Sequence, residues 1–208
     1  SIIVDNIVPS AINDVSAMFY YTSGAVIKNT GFHFAASSVS SAVVAGLINR
    51  AVDTQIGDVS LAGSLGNMTY YSPYFGSFVS SGEGSTTISN SYSVLTLKSS
   101  SYPTGGGFGY SYSGNITNSY YAGNIEISNT SNVKPIIYTN NSSTVTDSYW
   151  DTDTTGLTSS SVGAGYSTVA LQVAKTNSNL YSSWDDTNHW CFTDGQYPKL
   201  KVIKDLGV

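Results

Sequence analysis

The chain has 208 residues, of which 40% are hydrophobic and only 10% are charged, with a net charge of −5 and a single cysteine, Cys191. A disulfide within the chain is excluded, and because no basic run exists we expect no nucleic-acid partner. The longest apolar stretch, residues 42–48, is far shorter than the roughly 20 residues that span a bilayer, so we expect no membrane insertion. A polar but nearly uncharged composition favours an extracellular location, on a cell or virion surface.

A β-branched residue followed two positions later by Asn or Asp recurs along the chain. The instances begin at Ile27, Ile56, Ile88, Ile116 and Val145, with spacings of 29, 32, 28 and 29 residues. A second apolar series precedes the first and consists of Phe19, Ile48, Phe78, Phe108 and Ile137. Two series in step indicate a structural repeat of about 29 residues.

The repeat units are rich in Ser, Thr, Tyr, Val, Ile and Gly, which favours strands and turns over helices. We therefore predict an all-β fold, a right-handed parallel β-solenoid of about five coils of ~29 residues, rather than an antiparallel sandwich, which has no reason to repeat at this period. Each apolar series then forms a line of inward side chains. The Asn/Asp series should stack at a corner and satisfy the turn backbone, with glycines supplying positive φ at further turns.

Three segments carry a more specific pattern: residues 17–29 (AMFYYTSGAVIKN), 107–125 (GFGYSYSGNITNSYYAGNI) and 148–151 (SYWD). They resemble the GLUG-type repeats of bacterial and archaeal surface proteins. The C-terminal motif at residues 194–200 (DGQYPKL), together with Trp184 and Trp190, is similar to the segment that closes such arrays. Members of this family are mostly adhesins and other exported proteins, so the resemblance implies a binding or structural role.

The domain prediction is a solenoid over residues 1–162 and a capping segment over residues 163–208. Within the cap, Thr168 is expected to start a short helix over residues 169–175, whose Val169 and Val173 cover the open end of the last coil. Bulk for the cap comes from Trp184, Trp190, Phe192 and Tyr197. At the other end, residues 1–4 form a ready edge strand for self-assembly.

Tyrosines are the predicted ligand-binding residues, because their flat rings stack on sugars or anchor protein contacts. The set is Tyr70, Tyr71, Tyr74, Tyr110 and Tyr112. The first three lie in residues 64–77, which interrupt the repeat and are predicted to protrude as a loop. Three further tyrosines share one repeat position and form either a structural stack or an exposed one, namely Tyr92, Tyr120 and Tyr149.

Asp151, Asp153 and Thr155 form a D-x-D-x-T-G sequence that is typical of a calcium loop. The twelfth position is Val162 rather than the usual Glu, which favours a polar turn without metal over the calcium hypothesis. No other cofactor is predicted.

Catalysis is not predicted, because the acidic residues are scattered and neither His33 nor His189 has a recognisable partner in sequence. The leading hypothesis is a non-catalytic adhesion or recognition module that binds a surface glycan or a protein receptor. The alternatives are a structural subunit of an extracellular filament or virion appendage and, third, a polysaccharide-active β-helix enzyme.

Overall fold

The computed structural model describes residues 2–7, 11–12 and 15–203. Over these residues the chain forms the predicted parallel β-solenoid of about five coils. Two short α-helices, α1 (Thr152–Thr155) and α2 (Thr168–Leu171), and two 3₁₀ turns, Lys175–Asn177 and Asn179–Tyr181, lie near its C-terminal end.

The strands are short, as expected for a chain that turns several times per coil. In chain order they are β1 (Ile2–Ile7), β2 (Ala11–Ile12), β3 (Val15–Ser16), β4 (Phe19–Ser23), β5 (Val26–Ala35), β6 (Ser38–Val39), β7 (Val43–Ala45), β8 (Ile48–Val52), β9 (Gln55–Met68), β10 (Tyr74–Gly76), β11 (Val79–Glu83), β12 (Thr87–Ser89), β13 (Tyr92–Ser93), β14 (Thr96–Ser99), β15 (Thr104–Gly106), β16 (Gly109–Tyr112), β17 (Asn115–Thr117), β18 (Tyr120–Tyr121), β19 (Ile125–Ile127), β20 (Val133–Lys134), β21 (Ile137–Asn140), β22 (Thr144–Thr146), β23 (Tyr149–Asp151), β24 (Ala164–Tyr166), β25 (Trp190–Cys191) and β26 (Lys199–Leu200).

Successive coils stack through parallel pairing. One sheet contains β2, β3, β7, β10, β15 and β20, with β2 antiparallel to β3, and a second contains β4, β8, β11, β16 and β21. The remaining coil strands belong to a 13-stranded sheet that bends around the solenoid. At the N-terminal end β1 pairs with β5, whereas β25 and β26 form a separate antiparallel pair in the C-terminal segment.

The first apolar series stacks in the predicted register. Ile27 pairs with Ile56, Ile56 with Ile88, Ile88 with Ile116, and Ile116 with Val145. The three interior members are fully buried. This isoleucine column confirms that the repeat period is one coil.

The second series does not form a single line, so that prediction is wrong. Phe19 pairs with Ile48, but Ile48 pairs with Val79 and Ile137 pairs with Gly109. Phe78 comes one residue before β11, and Phe108 comes one residue before β16. The two rings pack against each other in the core, with centroids 5.0 Å apart. Phe19 is 37% exposed. The register drifts because the turns before the isoleucine column differ in length from coil to coil.

The Asn/Asp series lies at a corner, as predicted. Its members all have left-handed backbone conformations, with φ of 57° at Asn29, 54° at Asp58, 45° at Asn90, 48° at Asn118 and 46° at Asp147. Asn and Asp tolerate this conformation better than other residues with a side chain. Their repetition therefore turns every coil at the same place.

The prediction that Asn and Asp side chains satisfy the backbone at this corner is wrong, because serine hydroxyls accept these hydrogen bonds. The Ser91 hydroxyl accepts a hydrogen bond from the Val59 N–H, and the Ser119 hydroxyl accepts one from the Ser91 N–H, each at 3.1 Å. The Ser148 hydroxyl accepts from the Ser119 N–H at 3.3 Å. By contrast, Asn90 Oδ1 is buried without a partner. This serine ladder links the coils where the strands are interrupted.

Gly24 has the predicted positive φ, at 61°, but other glycines of the clusters are required by close packing instead. A Cβ on Gly46 would lie 2.2 Å from the Ser77 carbonyl oxygen, and one on Gly76 would lie 2.0 Å from the Val79 carbonyl oxygen. Neither position has positive φ. The backbone therefore requires glycine there because adjacent segments approach too closely for a side chain.

Two predicted segment boundaries change. The protruding loop expected over residues 64–77 reduces to residues 69–73, because Ser64 to Met68 continue β9 and pair with β6 and β14. The boundary at residue 162 falls before the end of the stack, since β24 still pairs with β23. Residue 1 of the predicted edge strand lies outside the described residues, and residues 2–4 belong to β1.

The C-terminal segment, residues 167–203, lies along the side of the solenoid rather than over its end. Its buried residues pack on the outward-facing column Tyr92, Tyr120 and Tyr149. Trp184 stacks on Tyr149 at 5.8 Å, and Trp190 contacts Tyr92 at 6.2 Å. The tyrosine column thus provides the apolar surface on which the C-terminal segment packs.

The predicted capping helix is also shorter and faces differently. It ends at Leu171, and its N-cap is Ser167 rather than Thr168. Val169 is 78% exposed, whereas Leu171 is buried. The helix therefore anchors the start of the C-terminal segment through Leu171 and covers no coil end with Val169.

The isoleucine column can be tested by cavity formation. Ile88→Ala removes buried methyl groups between Ile56 and Ile116, so we expect it to lower the free energy of unfolding by about 3 kcal/mol. Ser89→Ala, one residue later and only half-buried, should change it by less than about 0.5 kcal/mol. Urea unfolding monitored by tyrosine and tryptophan fluorescence measures both values. Equal effects of the two substitutions would contradict the register.

Candidate functional site

Three tyrosines on neighbouring coils form an outward-facing row, which we call the tyrosine row: Tyr74, Tyr110 and Tyr138. Tyr110 and Tyr138 lie opposite each other because Gly109 pairs with Ile137. Their rings are 5.8 Å apart and 12° from parallel. Tyr74, at the start of β10, places its ring 4.4 Å from that of Tyr110, with the planes 32° apart. The row therefore spans several coils.

The tyrosine row is both accessible and ordered by its own contacts. Tyr74 is 42% exposed, and the other two members are half-buried. Partial burial, together with the neighbouring hydroxyls of Tyr74 and Tyr138, raises the pKa of Tyr110. The Tyr110 and Tyr74 hydroxyls also share a hydrogen bond, which helps to hold the two rings in place.

A second exposed pair, the loop tyrosines Tyr71 and Tyr102, lies in the turns that precede β10 and β15. They are 78% and 57% exposed, with ring centroids 6.0 Å apart. The Ser72 hydroxyl donates to the Tyr102 carbonyl oxygen at 3.2 Å and joins the two turns. Tyr70, in the same turn as Tyr71, is 40% exposed.

Tyr112 does not belong to this surface, so its prediction as a ligand-binding residue is wrong. It is fully buried, and its hydroxyl donates to the carbonyl oxygens of Thr86 at 3.1 Å and Asn115 at 3.3 Å. Burial does not alternate strictly along β16, since Tyr112 is buried although Tyr110, two residues earlier, is half-buried. Its ring fills the space left by Gly82, where a Cβ would lie 2.3 Å from the ring.

Sequence reasoning missed Tyr102 and Tyr138. The signal was available, since Tyr110 and Tyr138 are 28 residues apart and Tyr71 and Tyr102 are 31 apart, each about one coil. Both pairs lie near the second apolar series, whose register drifts, so that series does not mark them. A search for tyrosines separated by one coil would have identified both pairs.

The column Tyr92, Tyr120 and Tyr149 faces outward but is covered. The Tyr120 hydroxyl donates to the Pro198 carbonyl oxygen at 2.8 Å, and the Tyr149 hydroxyl donates to the Leu180 carbonyl oxygen at 2.7 Å. Burial raises the pKa of Tyr149 to about 12. These tyrosines thus hold the C-terminal segment and form the structural stack that the sequence left open.

The candidate calcium loop is folded as a capped helical turn. Asp151 Oδ1 accepts hydrogen bonds from the N–H groups of Asp153 and Thr154 at 2.7 and 3.0 Å. Its Oδ2 accepts from the hydroxyls of Thr168 and Tyr197. The Thr155 hydroxyl donates to the Asp151 carbonyl oxygen, and Asp153 Oδ2 accepts from the Thr168 N–H. These oxygens are committed to protein donors.

Among the described residues, no group of three or more His, Cys, Asp and Glu side chains could hold a metal ion. The Asp151 carboxylate instead joins the last coil to the C-terminal segment through Thr168 and Tyr197. The structure therefore supports the polar turn over a calcium site at these positions.

His189 has a carboxylate partner that the sequence did not predict. Its Nδ1 lies 2.5 Å from Asp58 Oδ1, across 131 residues of chain. Asp58 occupies the same corner column as Asp147, three coils away, as the repeat predicted. The pair fastens the C-terminal segment to an early coil.

No family model and no solved structure matches the chain. A protein of Evansella cellulosilytica named "Putative Gly-rich membrane protein" is 34% identical over 117 residues. The match covers 53% of this chain but only 13% of that protein. Within the described residues, no helix has the length and apolar character needed to cross a membrane.

The role of Asp151 can be tested by substitution. Asp151→Ala removes the acceptor for four donors, so we expect the free energy of unfolding to fall by about 3 kcal/mol. Asp153→Ala, which removes one exposed acceptor, should cost less than about 1 kcal/mol. Thermal unfolding of the unmodified protein with and without calcium chloride tests the metal hypothesis. We expect no shift in Tm, and a calcium-dependent rise would restore the metal hypothesis.

Proposed function

We propose that the protein is a non-catalytic, surface-displayed recognition module and that the tyrosine row binds a glycan. The observation that carries the proposal is the uncovered stack Tyr74, Tyr110 and Tyr138, at centroid distances of 4.4 and 5.8 Å. Aromatic faces pack against the C–H surfaces of sugar rings, and phenol hydroxyls donate to sugar oxygens. The similarity to a protein named as a membrane protein supports a location at the cell envelope.

The arrangement favours an extended ligand over a single sugar. The row follows the stacking direction of the coils, whose backbones repeat about every 4.8 Å. A chain of sugar units laid along this direction contacts several rings at once. Because the strands hold the rings before binding, little side-chain entropy is lost on complex formation.

The tyrosine row makes a specific prediction for glycan binding. Replacing Tyr74, Tyr110 and Tyr138 together by Ala should abolish binding on a glycan array, and Tyr110→Ala alone should weaken it about tenfold, since central aromatic residues carry most of an interface energy. Affinity is measured by biolayer interferometry on the glycans that score on the array.

Tyr166→Ala is the matched control, because this tyrosine is 37% exposed and lies beside Tyr149, outside the row. Its substitution should leave glycan binding unchanged. Unchanged binding by the triple variant would refute the tyrosine row as the site. Binding to a purified surface protein but to no glycan would replace the glycan by a protein receptor.

The second candidate is a subunit of an extracellular filament that joins end to end through β1. Its support is the position of β1, which pairs with β5 in parallel at the N-terminal end of the stack. Strand addition at a sheet edge is a common mode of protein association. Negative-stain microscopy of the purified protein separates the two candidates, because assembly predicts filaments that disappear when residues 1–7 are deleted.

A further inference from the structure

A pocket of about 370 Å³ lies where the C-terminal segment crosses the solenoid, away from the tyrosine row. The solenoid contributes Tyr92 and Tyr120 to its lining. The C-terminal segment contributes Gln172, Gln196, Tyr197 and Lys199. This volume lies within the range of small-ligand sites, which combine apolar walls with a few polar groups.

The apolar part of the lining that is open to a ligand is provided by Val94 and Tyr197, which are half-buried. Tyr92 and Tyr120 are only 8% and 2% exposed, and Tyr197 stacks on Tyr120 with ring centroids 5.8 Å apart and planes 14° apart. The Tyr197 hydroxyl donates to Asp151. Tyr197 therefore offers a ligand ring surface, held in place by the buried rings.

The two amide groups and the ammonium group of the lining are available to a ligand. Within the described residues, the side chains of Gln172, Gln196 and Lys199 make no hydrogen bond or ion pair. Lys199 is the one charged residue of the lining, and no carboxylate lines the pocket. The site therefore combines one cation and two primary amides with an aromatic wall.

We propose that this pocket binds an acidic sugar unit of the uronic-acid class. The sugar ring packs against Tyr197 and Val94, its carboxylate accepts from the Lys199 ammonium, and its hydroxyls exchange hydrogen bonds with Gln172 and Gln196. An ammonium–carboxylate hydrogen bond is about twice as strong as a neutral one, so charge selects the ligand. The proposal does not depend on the tyrosine row, since the two sites share no residue.

The test is a titration of the full chain with sodium glucuronate, glucose and sodium acetate, followed by NMR and calorimetry. We expect saturable binding of glucuronate with a Kd of about 1 mM, at least tenfold weaker binding of glucose, and none of acetate. Added salt should weaken glucuronate binding, because it screens the lysine charge.

Lys199→Gln should weaken glucuronate binding about tenfold and leave glucose binding unchanged. Lys201→Gln is the matched control, since Lys201 lies two residues away and its Nζ donates to Thr187 outside the pocket. Gln196→Ala, at an exposed position, provides a second variant that preserves the fold, and it should weaken both sugars.

Three results would overturn the proposal: no saturable binding of glucuronate, equal binding of glucuronate and acetate, or an unchanged Kd in a folded Lys199→Gln protein. The triple tyrosine-row variant should bind glucuronate like the unmodified protein. If that variant loses array binding but keeps glucuronate binding, the two sites are independent. If the triple variant keeps its array binding, the tyrosine row is refuted as the glycan site. If the unmodified protein does not bind glucuronate, the pocket proposal is refuted independently.

Discussion

Hydrogen bonds between successive coils bring residues one repeat apart to about 4.8 Å, and this spacing constrains every side chain on the solenoid. A charge repeated in each coil would face its own kind at that distance, which costs free energy. Charged residues are accordingly few, and two pairs on adjacent coils have opposite signs. Arg50 binds Glu83 at 2.8 Å, and Lys98 binds Glu126 at 3.2 Å. The low charge of the chain thus follows from the stacking itself.

Because the coils stack in register, every coil must turn at the same corner. At the Asn/Asp corner one residue of each coil adopts the left-handed conformation, and the strand hydrogen bonds are interrupted beside it. The serine that follows Asn90 or Asn118 resolves the interruption, because its hydroxyl donates to its own coil and accepts from the coil before it. An Asn-Ser pair at a fixed repeat position therefore encodes a corner and the hydrogen bonds that hold it.

The periodic part of the fold could be predicted from the sequence, and the part that depends on contacts between distant segments could not. The isoleucine column and the Asn/Asp corner recur at one-coil spacing, so the repeat reveals them. Tyr112 could not be oriented, because burial along β16 does not follow the strict alternation of a strand. The route of the C-terminal segment depends on pairs such as His189 and Asp58, which no period connects. Within the candidate site, Tyr70, Tyr71 and Tyr74 are exposed as the sequence predicted. Tyr138 was not among the predicted ligand-binding residues.

Two sets of tyrosines lie on the outside of the solenoid strands, and one is covered by protein whereas the other is not. Tyr92, Tyr120 and Tyr149 carry Trp184, Trp190 and the rest of the C-terminal segment, and the hydroxyls of Tyr120 and Tyr149 donate to its carbonyl oxygens. The tyrosine row has no such cover among the described residues. Stacked rings at coil spacing are evidently an adhesive surface within this molecule, since the segment of the chain that reaches them binds there. The uncovered tyrosine row presents ring surface of the same kind to the solvent.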